Sequence, residues 1–247
     1  MITIERVNKK IAILNLDREE KLNAMDFDFW EELPSKIDEL EGDDKLKVVI
    51  VTGKGKAFSA GLDLMGFVKK LNQKTEDLKG IKKRKYIYEL ILKMQSGFNK
   101  IRNGKKIYIA AVNGYCIGAG LDMIAACDIR VASDNAIFSL RETKVGIVAD
   151  LGSLNRLSGI IGEGETRLLA FTGMDIDSKE ALRIKLVNRV YSTEDYFEET
   201  VKLAKLIASN NKNTLEGVKS ILNYNLNHSE EDGLDYVALR NSSFLEL

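Results

Sequence analysis

The stretch Asn113-Gly114-Tyr115-Cys116-Ile117-Gly118-Ala119-Gly120-Leu121-Asp122 runs through an apolar segment to Asp128-Ile129-Arg130. It closes on Arg141-Glu142-Thr143-Lys144-Val145-Gly146-Ile147-Val148-Ala149-Asp150. Three carboxylates, Asp122, Glu142 and Asp150, stand here in mostly apolar company. Uncompensated charge in such surroundings is costly, so acids kept there point to a use. The Gly118-Ala119-Gly120 turn precedes the first acid and opens a short helix to about Ala126. Together these features point to acid/base chemistry beside a hole for a developing negative charge.

Working outward, Lys106 to Asn113 reads as a buried strand, as does Leu46 to Thr52, both continuous apolar runs rich in β-branched residues. Ile2 to Val7 and Ile11 to Leu16 alternate around Asn8-Lys9-Lys10 and predict a hairpin. Asp26 is placed to cap a helix from about Phe27 to Leu40, with Phe29, Leu33 and Ile37 on one face. Ala57-Phe58-Ser59-Ala60-Gly61-Leu62-Asp63 is a run of small residues at a strand end, where a ligand can approach the backbone closely. Met65 to Gly80 is polar and variable in pattern, and is expected to shape the mouth of the pocket. A helix from about Ile81 to Ile101 carries Ile87, Ile91, Met94, Phe98 and Ile101 on one stripe, and its basic start, Lys82 to Lys85, reads as a solvated helix end. Asp128 to Ala132 and Ala136 to Leu140 are strand-like. Gly152 to Ile160 and Glu163 to Phe171 are helical, and Ser178 reads as the N-cap of a further helix. Val187 to Val190 is a short strand. Beyond about Tyr191 the pattern turns helical, so residues 1–190 read as an α/β core and 191–247 as a helical C-terminal region.

Composition narrows the function. The chain has 247 residues and 37 basic against 37 acidic side chains. That balance gives no support to nucleic acid as the main partner. No apolar run reaches the roughly 18 residues of a membrane helix. The first residues show no signal pattern, and the last, Phe244 to Leu247, carry no Ser-Lys-Leu type peroxisomal signal. Cys116 and Cys127, the only cysteines, read as buried thiols of a reducing compartment, and the expected location is cytoplasmic. The one histidine, His228, sits in a polar turn, which speaks against a Ser-His-Asp system and a zinc site. Gly114, Gly118 and Gly120 are wrongly spaced for a dinucleotide fingerprint.

Several segments, in order and over essentially the whole chain, resemble the crotonase (enoyl-CoA hydratase/isomerase) superfamily. Arg18-Glu19-Glu20-Lys21-Leu22-Asn23-Ala24-Met25 is similar to its N-terminal signature. Ala57 to Asp63 is similar to its first oxyanion segment, and Asn113 to Ile129 to its second. Within the superfamily the similarity is greatest to the Δ3,5-Δ2,4-dienoyl-CoA isomerases, on Asp122, Glu142, Asp150 and the following Leu151 to Leu157. It continues in Gly233 to Ala238 and in Asn241-Ser242-Ser243. Hydratases of the superfamily carry glutamates at the positions of Asp122 and Glu142, and generally lack the third acid.

The resemblance implies a spiral of ββα units with a helical C-terminal region, an acyl-CoA thioester as substrate, and homotrimers or homohexamers. It implies backbone N–H groups of Ala60 and Ala119 as the oxyanion hole. Such donors contribute about 3–4 kcal/mol each in a well-studied protease. Glu142 is expected to work at carbon-2 and Asp150 at carbon-6, with Asp122 orienting or tuning Glu142. The segment Ala57, Ser59, Gly61, Leu62 and Asp63, together with Gly118, is expected to line the coenzyme A site, with Lys54 and Lys56 as phosphate contacts. No metal or redox cofactor is expected, since proton transfer moves no electrons. Enoyl-CoA hydration remains an alternative activity, and a non-catalytic acyl-CoA-binding protein an alternative class.

Overall fold

A computed structural model describes residues 1–243; the tail tetrapeptide Phe244 to Leu247 lies outside the described residues. Ile2–Asn8 (β1) and Ile11–Leu16 (β2) form the expected antiparallel hairpin. Phe27–Glu41 (α1) follows, and the Asp26 side chain accepts from the N–H groups of Asp28 and Phe29 at its start. This satisfies two of the donors that a helix N-terminus leaves open. Val48–Gly53 (β3) and Ala57–Ser59 (β4) lead to Leu64–Lys74 (α2) and Gly80–Asn103 (α3). Ile107–Val112 (β5) and Tyr115–Ile117 (β6) lead to Ala119–Ala126 (α4). Ile129–Ser133 (β7) and Ile137–Ser139 (β8) lead through a 3-10 turn, Glu142–Val145, to Ser153–Thr172 (α5). Then come Asp175–Asp177 (β9), Ser178–Arg183 (α6), Arg189–Tyr191 (β10), Tyr196–Ser209 (α7), Lys212–Tyr224 (α8) and Glu230–Ser242 (α9).

Three successive strand pairs each divide between two sheets. One sheet runs β1-β2-β3-β5-β7-β10, and the other runs β4-β6-β8-β9. Within the first, β2, β3, β5, β7 and β10 are mutually parallel neighbours. The chain therefore repeats a ββα unit, stepping sideways once per unit, which is the spiral that the resemblance implies.

Burial follows the two-residue period of the large sheet. Leu14, Val49, Val51, Tyr108 and Ala110 join α1, α3 and α4 in one core. The alternate residues Ile13, Val48, Ile50, Ile109 and Val131 pack on Ala204 and Ala208 of α7. Both faces are covered, which explains why these strands are continuously apolar. On α3 the buried stripe is Leu90, Met94, Phe98 and Ile101, with Ile87 and Ile91 partly buried beside it. No helix among the described residues is long and apolar enough to cross a membrane.

Three local expectations are corrected. The segment from Met65, read as having no regular pattern, folds as α2 up to Lys74, capped by Asp63, which accepts from Gly66 N–H. Only Phe67 of this helix is buried, against the Phe27 ring at 5.6 Å, so no apolar stripe marked it. The cap of α6 is Asp177, which accepts from Glu180 N–H at 2.8 Å. Ser178 instead donates to Asp134 O. The two helices read on either side of Gly162 run on as one element, kinked where Gly162 takes φ 81°.

Candidate active site

The segment after β4 is held by the N-terminal loop. Asn23, itself at φ 55°, donates to the carbonyls of Lys54 and Ala57 and accepts from Arg18 N–H. Ser59, fully buried, donates to Asn23 O and accepts from Gly61 N–H. Arg18 donates to Asp63 at 3.0 Å and to Ala24 O. Ser59 and Asp63 therefore shape the loop through their own chain, and Asn23 and Arg18 are functional supports to which sequence reasoning gave no role.

The same bonds decide which backbone donors are open. Ala60 N–H donates to Leu22 O at 2.8 Å, Met25 N–H to Gly61 O, and Asp63 N–H to Met25 O. The expectation for Ala60 is thereby corrected, because its N–H is already taken. Leu62 N–H has no partner among the described residues. Gly61 (φ 89°) brings this amide against the second segment: a Cβ there would stand 2.7 Å from Ile117 O and 3.5 Å from Ala119 N. Ala119 is the first residue of α4, and its N–H is likewise without a partner among the described residues. Two open amides thus lie side by side, one of them at a helix N-terminus where the dipole favours negative charge.

The acids meet at the same place. A Cβ on Gly118 would stand 3.1 Å from Glu142 Oε1, so the carboxyl lies against the start of α4. Asp122 is only 1% exposed and accepts from Ser153 N–H. Burial pushes its pKa up to about 6, with the Ser153 bonds and the Arg156 charge opposing. For Glu142, burial and then the neighbouring Asp122 push the pKa up to about 7, with a smaller push from Asp150. Its Oε2 is buried without a partner among the described residues. Asp150, half-buried, is also raised by burial. Proton binding by the three is coupled, so protons belong to the cluster more than to any one acid. A carboxyl with a pKa near 7 can take and give protons at neutral pH.

A cavity of about 320 Å³ opens beside Glu142, lined by Leu140, Ile147, Val148, Leu154 and Phe171 among others. A larger one of about 460 Å³ lies between α5 and α6. It contains none of the three acids, and its Glu165 and Glu180 are already paired with Arg183. Lys54 lies apart from the acids and donates to Asp17 at 2.8 Å, near Glu5 as well, while Lys56 is exposed in the adjacent turn. Cys116 and Cys127 are buried free thiols.

The chain matches the enoyl-CoA hydratase/isomerase family over residues 6–244. It is 43% identical over 237 residues to the mitochondrial Δ(3,5)-Δ(2,4)-dienoyl-CoA isomerase of Dictyostelium discoideum, covering 96% of this chain and 80% of that one. It is 34% identical over 247 residues to the peroxisomal Δ(3,5)-Δ(2,4)-dienoyl-CoA isomerase of Arabidopsis thaliana, covering 99% and 89%. A putative enoyl-CoA hydratase from Thermobifida fusca, solved in complex with CoA, superposes with a TM-score of 0.87 at 25% identity, covering 98% of this chain and 91% of that one. These mitochondrial and peroxisomal relatives overturn the cytoplasmic expectation. Two buried thiols separate a reducing compartment from an oxidising one and do not tell one reducing compartment from another. By sequence over nearly its whole length, and by a spiral that brings two open amides to a cluster of buried acids, the chain belongs to the enoyl-CoA hydratase/isomerase family.

Proposed function

We propose that the protein isomerises 3,5-dienoyl-CoA to 2,4-dienoyl-CoA. The observation that carries this reading is Asp150, a third half-buried acid close enough to raise the pKa of Glu142. The thioester oxygen sits against the N–H groups of Leu62 and Ala119. Glu142, ionised, takes the proton from carbon-2. The C–H electrons form the 1,2 double bond of an enolate whose charge rests on the thioester oxygen. On collapse the carbonyl re-forms, the 1,2 pair becomes the 2,3 double bond, the 3,4 pair moves to 4,5, and the 5,6 pair takes a proton at carbon-6 from Asp150. Glu142 ends protonated and Asp150 ionised; a proton passing back resets the pair. Asp122, anchored by Ser153, raises the basicity of Glu142 through its charge. Proton transfer and an oxyanion hole suffice for this reaction, with no metal or redox group.

Coenzyme A lies along Ala57 to Leu62 and Gly118, with Lys56 free for a phosphate and Lys54 reaching one only by leaving Asp17. Residues 1–190 serve as the spiral core and 191–247 as the helical region given to self-association into trimers or hexamers. Exposed Val148 and Phe171 at the cavity mouth, and Leu222, Leu234 and Leu239 on α8 and α9, support that use. Sedimentation velocity checks it, and a monomer at micromolar concentration would refute it.

An ultraviolet assay tests the activity. Growth of the 2,4-dienoyl-thioester absorbance, lost by at least about 100-fold in Asp150→Asn, is expected, as for removal of a general acid. Loss of 2-enoyl-CoA absorbance with no dienoyl turnover would make the protein a hydratase. CoA-ester binding without turnover would make it a binding protein.

A further inference from the structure

The turn Asp150-Leu151-Gly152-Ser153 leads into α5, and its backbone is bonded on every side. Asp150 O accepts from Gln95 Nε2 at 2.6 Å. Leu151 O accepts from Arg156 Nη1 at 3.0 Å, and Ser153 N–H donates to Asp122. The other arm of Arg156 donates to Asn99 Oδ1 at 2.6 Å. Gln95 and Asn99 are one turn apart on α3 and so share a face. Gly152, at φ 115°, leaves room for this arrangement, since a Cβ there would stand 2.0 Å from Arg156 Nη1.

Arg156 is partly buried, yet it forms no ion pair within 4.0 Å among the described residues. Its donors go instead to two neutral oxygens, one of them the carbonyl next to Asp150. Two neutral acceptors and the nearby Asp122 charge offset in part the cost of taking this charge from water. The planar fork of the guanidinium suits holding two acceptors at a fixed separation.

We propose that Arg156 is a positioning residue for proton delivery: by bridging Leu151 O to Asn99 on α3, it fixes the turn that carries Asp150. The far carbon of the diene then meets the Asp150 carboxyl at transfer distance. Gln95 supports the same turn from the preceding carbonyl. The inference rests on the reading of Asp150 as the acid at carbon-6.

The test separates the two halves of the reaction. Proton removal at carbon-2 is followed by deuterium exchange from heavy water into 3,5-dienoyl-CoA, and the complete reaction by dienoyl absorbance. Arg156→Met is expected to lower kcat for isomerisation about 10- to 100-fold, the scale of a misplacement near 1 Å, with KM within about threefold. Carbon-2 exchange is expected to fall far less than isomerisation, by only what loss of the Arg156 charge beside Asp122 takes from the basicity of Glu142. The double variant with Asp150→Asn is expected to be no slower than Asp150→Asn alone, because one residue acts through the other. Asn99→Ala, an exposed change that keeps the fold, is expected to show the same split at a smaller size. It serves as the test should Arg156→Met not fold. Equal loss of exchange and isomerisation, or losses that multiply with Asp150→Asn, would overturn the inference while leaving the role of Asp150 standing. A wild-type isomerisation rate in Asp150→Asn would overturn that underlying reading, and the inference with it.

Discussion

Glu142→Gln removes a charge that the fold resists, so its effect on stability depends on pH in a calculable way. The carboxyl has an ordinary pKa of 4.5 and is pushed to about 7 in the folded chain. Because the folded value is the higher, protonation favours the fold. The stabilisation is fully present below about 4.5 and is lost as pH rises through 7. At about 1.4 kcal/mol per tenfold change in proton affinity, the ionised carboxylate costs the folded protein about 3 kcal/mol at pH 8. Partial exposure and sharing of protons with Asp122 reduce this to about 2 kcal/mol. Glutamine has the shape of the neutral acid and no charge, so it escapes the cost. For a chain of this size, 2 kcal/mol corresponds to about 4–8 °C in Tm. Scanning calorimetry at matched protein concentration is expected to show Glu142→Gln melting higher than the parent by that amount at pH 8, with most of the gain gone at pH 5. The same variant loses the carbon-2 base and is expected to be inactive. A gain equal at both pH values, or a loss of stability at pH 8, would refute the placement of a strained carboxylate at this position.

Two further outcomes follow from the same cluster. Ala119→Pro deletes one of the two open amides at a helix position that tolerates proline. It should fold by circular dichroism and lose about 100- to 1000-fold in kcat, the usual cost of one oxyanion donor. An unchanged rate would remove Ala119 from the hole. Asp122→Asn takes away the charge that raises Glu142. The acid limb of the kcat/KM profile is therefore expected to move to lower pH, and a limb that stays in place would show that the two acids do not communicate.

The legible parts of the sequence were those governed by local chemistry. Asp26 capped the helix it precedes, the strands buried on both faces were continuous apolar runs, and the hairpin lay between alternating segments. The strands of the smaller sheet were harder, because β4, β6, β8 and β9 have three residues each. That is too short for a period to show. Distant partners decided the rest. Nothing in Ala57 to Asp63 says that Leu22 takes the Ala60 amide and leaves Leu62 open. Nor does Gly53-Lys54-Gly55-Lys56 announce that Asp17 occupies one of its lysines. The supporting roles of Gln95, Asn99 and Arg156 were invisible for the same reason. Gln95 and Asn99 meet Asp150 and Arg156 across 55 and 57 residues of chain.

The division of each ββα unit between two sheets has a consequence for what this scaffold can become. The open amide of Leu62 follows β4, that of Ala119 follows β6, and Glu142 follows β8, so three successive coils each contribute one corner of a single edge. The corners follow neighbouring strands of the smaller sheet, and each stands on its own connection. Side chains at the third corner and on the turn behind it can be exchanged without touching the amides supplied by the first two. A lineage could thus keep its anion receptor and rewrite its proton traffic, acquiring an acid such as Asp150 or giving one up. Variation of that kind alters which bond is remade rather than which thioester is held.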